Sequence, residues 1–283
     1  MGHHYVPQKY LRGFANTENP NTIWMYDKKL QQFKNPGIKS VAQKSGFYSN
    51  DVEQQLNELV EKPANKVLDK LRNQEKITEI DRIYLGIYIA TMLMRVPKRR
   101  VEAYSLYPSV FEKVITNVRG QIQEWGKTTQ NKELFERRLL EVEEAEKKFI
   151  NEVPDSVVEQ IRQPWANEEM ISAICSMTWR VVRSTTSDFF ITSDNPAYFF
   201  KAYGIGTSKS EMTFPISTDL ALFASWQGRQ NTIIYLKARP YLIKEANKRL
   251  MFGAERFVFS HRKEDWIAKI SNNSNPYLSR IQW

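Results

Sequence analysis

The sequence has few of the residues from which disulfide frameworks, zinc sites and the commoner catalytic centres are built. Among its 283 residues are one cysteine, Cys175, and three histidines. A single cysteine excludes an internal disulfide and a multi-cysteine zinc site. The sequence contains no G-x-S-x-G elbow, H-E-x-x-H pair, P-loop or dinucleotide fingerprint. The usual signatures of serine hydrolases, zinc proteases and nucleotide-binding domains are therefore missing.

A long hydrophobic run is also lacking. The most apolar stretch, Ile83–Met94, is too short to span a bilayer and lies between Arg82 and Arg95. We expect this stretch to form a buried helix, and we expect no membrane partner. No basic and then apolar leader opens the chain, which predicts a cytoplasmic protein. With 41% hydrophobic and 26% charged residues, the composition is that of a globular protein.

Negative charge is in deficit, because 41 Lys and Arg residues oppose 32 Asp and Glu residues and leave a net charge of +9. Such an excess favours RNA, DNA, anionic lipid or an acidic protein as partner. Nucleic-acid contacts are predicted for Lys9 and for a basic knot after the apolar helix, formed by Arg95, Lys98, Arg99 and Arg100. A later basic cluster comprises Lys244, Lys248, Arg249, Arg256, Arg262 and Lys263. For any one of these residues, a solvated surface charge is the alternative.

Local patterns in the first two thirds of the chain predict a short mixed unit followed by helices. A helix is expected after Pro7, and a β-hairpin around Lys28–Lys29. Asn50 or Ser49 is expected to cap a helix that begins near Asp51, and "TEID" at Thr78–Asp81 resembles a capping box for the apolar helix. Residues 107–165 are expected to form a helical elaboration.

The pattern changes towards the C-terminus. The stretch "EEMISAICSMTWRVV" is predicted to be a buried helix, and it is followed by short runs rich in β-branched and aromatic residues. The whole chain is therefore predicted to be α+β: a short N-terminal helix and β-hairpin, a helical middle layer, and a mainly antiparallel C-terminal sheet with helices.

The opening stretch "HHYVPQKYLRGF" is unusually rich in functional side chains. Helical spacing predicts that Tyr10, Leu11 and Phe14 point inward. The other side of the stretch would bring together three polar side chains, those of His4, Gln8 and Arg12. A neutral imidazole can act as a base or metal ligand near pH 7, and arginine can bind a phosphate with two hydrogen bonds. The alternative is a hydrophobic anchor with a histidine bonded to backbone.

Two further segments carry carboxylates suited to a divalent metal. Glu53, Asn57 and Glu61 are spaced along one side of a predicted helix, and carboxylates on one face can bind a hard cation. In "FFITSDNPAYFF", Asp194 follows a buried strand. Glu53, Glu61 and Asp194 are thus the predicted ligands of Mg²⁺ or Mn²⁺, and Asp194 is also a predicted catalytic residue. A solvated helix stripe and ordinary turn chemistry are the alternatives.

Several of these motifs occur together and in order, and in this the sequence resembles a bacterial family known as domain of unknown function 4238. The resemblance rests on "HHYVPQKYLRGF", "IWMYDK", "GFYS" before an acidic helix, "MRVP", "FFITSDNP", "FPIS" and "ANKRLMFGAERFVFS". It implies one family domain spanning residues 1–283, with 107–165 as the helical elaboration. It supplies no established reaction.

These observations lead to one functional hypothesis and two alternatives. The first is a nuclease, a phosphodiesterase directed at nucleic acid, in bacterial defence or a toxin-like system. Its predicted catalytic residues are His4, Gln8, Arg12 and Asp194. His4 is a base or ligand, Arg12 binds the phosphate, and Glu53 and Asp194 hold the metal. The first alternative is a non-catalytic module that binds nucleic acid or protein. The second is an enzyme acting on a small nucleotide.

Overall fold

The computed structural model describes residues 2–47, 49–149, 168–200, 203–273 and 278–283, without the side chains of 98–100, 102–104, 106 and 110. The chain divides into two compact units. One unit comprises Met1–Val96 with Gln163–Trp283, and the other comprises Pro97–Arg162. A single domain with an elaboration at 107–165 remains a prediction.

Nine α-helices occur in the described residues: α1 (Gln8–Leu11), α2 (Asn50–Gln55), α3 (Lys62–Arg72), α4 (Glu79–Arg95), α5 (Pro97–Thr128), α6 (Lys132–Phe149), α7 (Glu168–Ser176), α8 (Pro240–Gly253) and α9 (Asp265–Ser271). Short 3₁₀ segments lie at Arg12–Phe14 and Ile38–Ser40, and a π-helical segment lies at Leu56–Glu61. None of the helices in the described part is long and apolar enough to cross a membrane.

The strands form three sheets. A two-stranded sheet pairs β1 (Gly2–His4) with β4 (Gln43–Ser45). A five-stranded sheet has the order β10 (Ile233–Lys237), β5 (Thr178–Arg183), β9 (Leu220–Ser225), β8 (Glu211–Ser217) and β7 (Tyr198–Phe199). A four-stranded sheet has the order β3 (Gln32–Lys34), β2 (Trp24–Asp27), β11 (Phe257–Ser260) and β6 (Thr192–Ser193). The predicted α+β class is confirmed, as is the predicted hairpin of β2 and β3.

The opening stretch is packed into the core of the first unit. Tyr10, Leu11 and Phe14 are fully buried, as their spacing predicts. The Tyr10 hydroxyl donates to the carbonyl oxygen of Pro215 in β8 and lies 2.8 Å from the hydroxyl of Thr192. Its ring stacks on that of Phe214 with centroids 5.3 Å apart. The N-terminal segment is thereby attached to both larger sheets.

One predicted helix is partly a strand. The helical pattern over "EEMISAICSMTWRVV" holds for α7, which ends at Ser176. The residues that follow form β5, which is antiparallel to β9 and parallel to β10. A continuous apolar run does not distinguish a buried helix from a strand that is covered on both faces. The parallel pair is the exception in an otherwise antiparallel sheet.

The second unit contains a helical hairpin. α5 and α6 are joined by residues 129–131 and form the only helix pair of this unit in its described residues. Trp125 and Phe135 pack near the turn with ring centroids 6.5 Å apart. An ion pair joins Arg119 to Glu146 further along. Residues 150–165 of the predicted elaboration lie outside the described residues.

Candidate functional site

His4 ends β1, and its ring is oriented by the backbone. In the antiparallel pair of β1 and β4, His4 is opposite Gln43. The Nε2 atom of His4 lies 3.2 Å from the carbonyl oxygen of Lys39. Since a carbonyl oxygen only accepts hydrogen bonds, Nε2 carries the proton here, and Nδ1 of the neutral ring has a lone pair. His4 can therefore accept a proton or bind a metal through Nδ1.

Burial lowers the pKa of His4 below its usual 6.5, and the positive charge of Arg95 lowers it further. The Lys39 carbonyl group and the charges of Glu53 and Glu61 act in the opposite direction. The imidazole is consequently mostly neutral at pH 7, which is the form that a general base needs. The charges of Glu53 and Glu61 both act on the pKa of His4, so the two glutamates belong to the electrostatic environment of this histidine.

Glu53 and Glu61 lie on a helical stretch that contains a π-helical turn. The hydroxyl of Ser49 caps α2 by accepting from the Val52 amide, which confirms the predicted cap. In a regular α-helix, residue i+8 lies about 80° around the axis from residue i, because there are about 3.6 residues per turn. The wider turn at Leu56–Glu61 rotates less per residue and brings Glu61 back towards the side of Glu53. Such π-helical turns are frequent at functional sites.

Two polar atoms near these carboxylates are buried without a hydrogen-bond partner in the described structure. They are Oε2 of Glu53 and the hydroxyl of Tyr88. Burial, and next to it the charge of Glu61, raises the pKa of Tyr88 well above its usual value. Tyr88 is not among the site residues predicted from the sequence, although it precedes Arg95 by seven residues and so lies about two turns away on the same side of α4. Buried polar atoms of this kind normally have a partner, which makes them candidates for contact with a ligand or water.

Arg95 is an internal residue of this cluster. Its side chain is 1% exposed, and it donates to Oε1 of Glu61 at 2.6 Å and to the carbonyl oxygen of His4. It thereby ties the end of α4 to β1 and to the π-helical segment. The prediction that Arg95 binds nucleic acid does not fit this burial, because its guanidinium group faces protein oxygens.

Gln8 and Arg12 are placed differently from His4. His4 belongs to a strand, whereas Gln8 begins α1 and Arg12 begins the following 3₁₀ segment, so one helical face does not connect the three. Arg12 is exposed and Gln8 is half-buried. Among the described side chains, no hydrogen bond or ion pair joins either residue to His4. The convergence of His4, Gln8 and Arg12 stays a prediction, with no direct contact among the described side chains to support it.

The carboxylate of Asp194 accepts hydrogen bonds from the backbone of a neighbouring loop. Its Oδ1 accepts from the amide of Glu255, and its Oδ2 accepts from those of Arg256 and Phe257, each at 2.8 Å. Burial raises the pKa of Asp194, while the three amides and the charge of Lys28 act in the opposite direction. These contacts connect β6 to the start of β11. They match the structural alternative for the "SDNP" segment better than the predicted catalytic and metal-binding roles.

We expect the substitution Asp194→Asn to lower the free energy of unfolding by about 1.5–3 kcal/mol, the typical value of hydrogen bonds to a charged group. The amide nitrogen would face backbone donors and could not accept from them. Urea unfolding measures the change, and the exposed Asp188→Asn is the matched control, expected within about 0.5 kcal/mol of wild type. Equal stability of the two variants would contradict the structural role of Asp194.

The remaining predicted nucleic-acid contacts divide into two cases. Lys9 is half-exposed and pairs with Asp69 of α3, with Nζ and Oδ2 3.0 Å apart. An exposed pair of this kind contributes little to stability and leaves the lysine accessible. The backbone of Lys98, Arg99 and Arg100 lies at the start of α5, but their side chains lie outside the described part of the structure.

The three predicted metal ligands do not form one ligand set. Asp194 faces the loop at 255–257, whereas Glu53 and Glu61 lie near His4. Within the described residues, no group of three or more His, Cys, Asp or Glu side chains is arranged to hold a metal ion. Glu61 is paired with Arg95, so Glu53 is the better placed carboxylate for a cation near His4.

A family model described as "Protein of unknown function (DUF4238)" matches residues 2–264. This confirms the family expected from the sequence motifs. The match includes all eleven strands of the described structure and ends just before α9. Neither a curated protein nor a solved structure matches the chain.

Proposed function

We propose that this chain, which belongs to the DUF4238 family of proteins of unknown function, is a phosphodiesterase that cleaves nucleic acid. His4 is its general base. Through Nδ1, His4 takes a proton from the attacking hydroxyl group or water, whose oxygen bonds to phosphorus. The bond between phosphorus and the leaving oxygen breaks, and the leaving oxygen takes a proton from water. Glu53 and Glu61 stabilise the imidazolium that results. The net charge of +9 favours a polyanionic substrate.

The observation that carries this proposal is the state of His4. A half-buried neutral imidazole has its tautomer set by a backbone carbonyl group and has two carboxylates in its electrostatic environment. A strand anchor alone would need only the Nε2 contact. The π-helical turn, which orients the two glutamates, and the partnerless Oε2 of Glu53 add to this support.

A divalent cation is compatible with this centre. Mg²⁺ commonly binds through one or two carboxylates together with phosphate oxygens and water, so three protein ligands are not required. Glu53 would hold the ion, because its buried Oε2 has no partner among the described residues. When bound, Mg²⁺ or Mn²⁺ would neutralise charge on the phosphate. His4 and Glu61 keep their roles as base and neighbouring carboxylate.

We expect purified protein to cleave labelled RNA or single-stranded DNA, and to do so faster with Mg²⁺ or Mn²⁺ than with EDTA. The rate should increase with pH through an apparent pKa below 6.5, because burial lowers the pKa of the His4 base. The measurement is kcat/KM from pH 4.5 to 8.5 on substrates of both kinds. Absence of cleavage under every condition, or a rate that does not change with pH, would contradict the proposal.

A second candidate is a non-catalytic module that binds nucleic acid. The observation in its favour is that Arg95 and Asp194, two of the predicted site residues, have structural partners within the protein. Binding that weakens steeply with salt, together with no turnover in the same assay, would support this candidate instead.

A further inference from the structure

A cavity of about 640 Å³ opens between α8 and α9 in the first unit. From α8, Ile243, Lys244 and Lys248 line it, and their spacing places them on one helical face. From α9, Trp266 and Lys269, which are three residues apart, line the opposite wall. The volume is in the range that small-molecule sites occupy. The cavity does not include His4 or the carboxylates near it.

The walls of this cavity carry a positive excess. Four cationic and two acidic side chains line it. One cation and one acid neutralise each other, because Arg262 Nε lies 2.8 Å from Oε1 of Glu264. In the residues that the structure describes, neither Lys244 nor Lys269 has a carboxylate within ion-pair distance. Two ammonium groups on opposite walls are therefore available to an anionic ligand.

Two aromatic residues, Phe189 and Trp266, line the cavity and contact each other. The ring of Trp266 is half-buried and lies 5.3 Å from that of Phe189, at 55°. The guanidinium group of Arg262 covers the Phe189 ring at 4.7 Å. The buried side chain of Asn247 donates to the carbonyl oxygen of Phe189 at 2.8 Å. Asn247 thus holds the backbone of Phe189, and Arg262 covers one face of its ring. Trp266 packs against Phe189 and offers an apolar surface to a ligand.

We infer that this groove binds a nucleotide, with its phosphate between Lys244 and Lys269 and its base against Trp266. Lysine ammonium groups bind phosphate, and aromatic side chains stack on bases of any sequence. A free phosphate would gain nothing from the indole ring, and an uncharged aromatic molecule would gain nothing from the lysines. A free mononucleotide and one unit of a single strand share this chemistry. The inference is independent of the proposed activity, because none of the groove residues belongs to the His4 centre.

The test is isothermal titration calorimetry of the full chain at low salt in EDTA, with four probes. They are 2′-deoxyadenosine 5′-monophosphate, deoxyadenosine, inorganic phosphate and a 12-nucleotide single-stranded DNA. We expect the nucleotide to bind more tightly than either the nucleoside or phosphate. Comparable binding of the mononucleotide and the strand would identify a free-nucleotide site. Clearly tighter binding of the strand that is lost when Lys244 and Lys269 are replaced would identify a site for one unit of a nucleic acid.

Variants test the phosphate-binding lysines and the base-binding tryptophan of the groove separately. The double substitution Lys244→Ala, Lys269→Ala should weaken nucleotide binding at least about tenfold, because it removes two charge-assisted contacts. Trp266→Leu should weaken it by about 5- to 150-fold and leave phosphate binding unchanged, because only base stacking is lost. Lys34→Ala removes an exposed lysine of β3 and is the matched control, with binding expected to be that of wild type. Because this test measures binding in EDTA and not cleavage, its outcome is distinct from that of the test of the proposed activity.

Three results would overturn the inference. They are no binding of either the nucleotide or the strand, phosphate binding as tight as nucleotide binding, and nucleotide affinity unchanged in the lysine double variant. Because both lysines are solvent-facing, that variant should unfold at the wild-type temperature, so the result does not depend on how well Trp266→Leu folds.

Discussion

The substitution His4→Gln is expected to lower kcat for nucleic-acid cleavage by about 100- to 10,000-fold, the usual contribution of a general base. Glutamine keeps an amide donor for the carbonyl oxygen of Lys39, where His4 has Nε2 at 3.2 Å. It has no lone pair that could replace Nδ1 as a base near pH 7. The structure of β1 should therefore persist while proton transfer is lost. The KM should change little if the substrate phosphate does not contact the ring.

The neighbouring histidine provides the matched control. His3 belongs to the same strand, and adjacent side chains in a strand point to opposite faces. His3→Gln should keep the wild-type rate and the same pH profile. A loss of activity in both variants, or a His4→Gln variant that cleaves at the wild-type rate, would contradict the role of His4. Thermal unfolding of the three proteins would show whether a lower rate reflects lost structure.

The substitution Arg249→Met is expected to lower the free energy of unfolding by about 3–5 kcal/mol, the typical effect of breaking a buried ion pair. Arg249 is fully buried in α8 and donates to Oε2 of Glu211 at 2.7 Å and to the hydroxyl of Thr213 at 2.9 Å. It also donates to the carbonyl oxygen of Ser279 at 2.6 Å. Methionine fills a similar volume but leaves the carboxylate of Glu211 buried without its cation. Urea unfolding of the variant measures the loss.

Two further variants show whether the unpaired charge is the cause. Arg249→Met combined with Glu211→Gln should be less destabilised than the sum of the single variants, because the group at position 211 is then no longer a buried carboxylate without its cation. The second, longer ion pair of Arg249, with Glu245 at 3.6 Å, is lost in both variants that lack Arg249. Lys248→Met, one residue away, should change stability by no more than about 1 kcal/mol, since the Nζ atom of this partly exposed lysine lies 3.7 Å from Oε2 of Glu245. Additive effects of the Arg249 and Glu211 changes would contradict this explanation.

For the basic cluster at residues 244–263, the count of charges in the sequence does not show which residues are paired with carboxylates and which are accessible. Arg249 neutralises a buried carboxylate, and Arg256 pairs with Asp27 at 2.7 Å. Lys244, in contrast, lines the groove between α8 and α9 and has no carboxylate within ion-pair distance among the described residues. All these residues look alike in a one-dimensional charge pattern. Their division into internal ion pairs and an accessible surface depends on partners that are remote in the chain.

Features that depend on near neighbours were determined by the sequence itself. The Ser49 cap and the Thr78–Asp81 capping box form as predicted, because their donors and acceptors are only three residues apart. The burial of Tyr10, Leu11 and Phe14 follows from their spacing on a short helical segment. The α+β class and the family followed from similarly local patterns.

Only the tertiary structure decided which of the predicted site residues come together. It joins His4 and Arg95, which are 91 positions apart, through a hydrogen bond from the Arg95 guanidinium group to the carbonyl oxygen of His4, and it brings Glu53 and Glu61 into the same environment. It assigns Asp194 to backbone amides about 60 positions further on. The physical reason is that hydrophobic periodicity and capping act over a few residues, whereas the choice of an ion-pair or backbone partner depends on how distant segments pack.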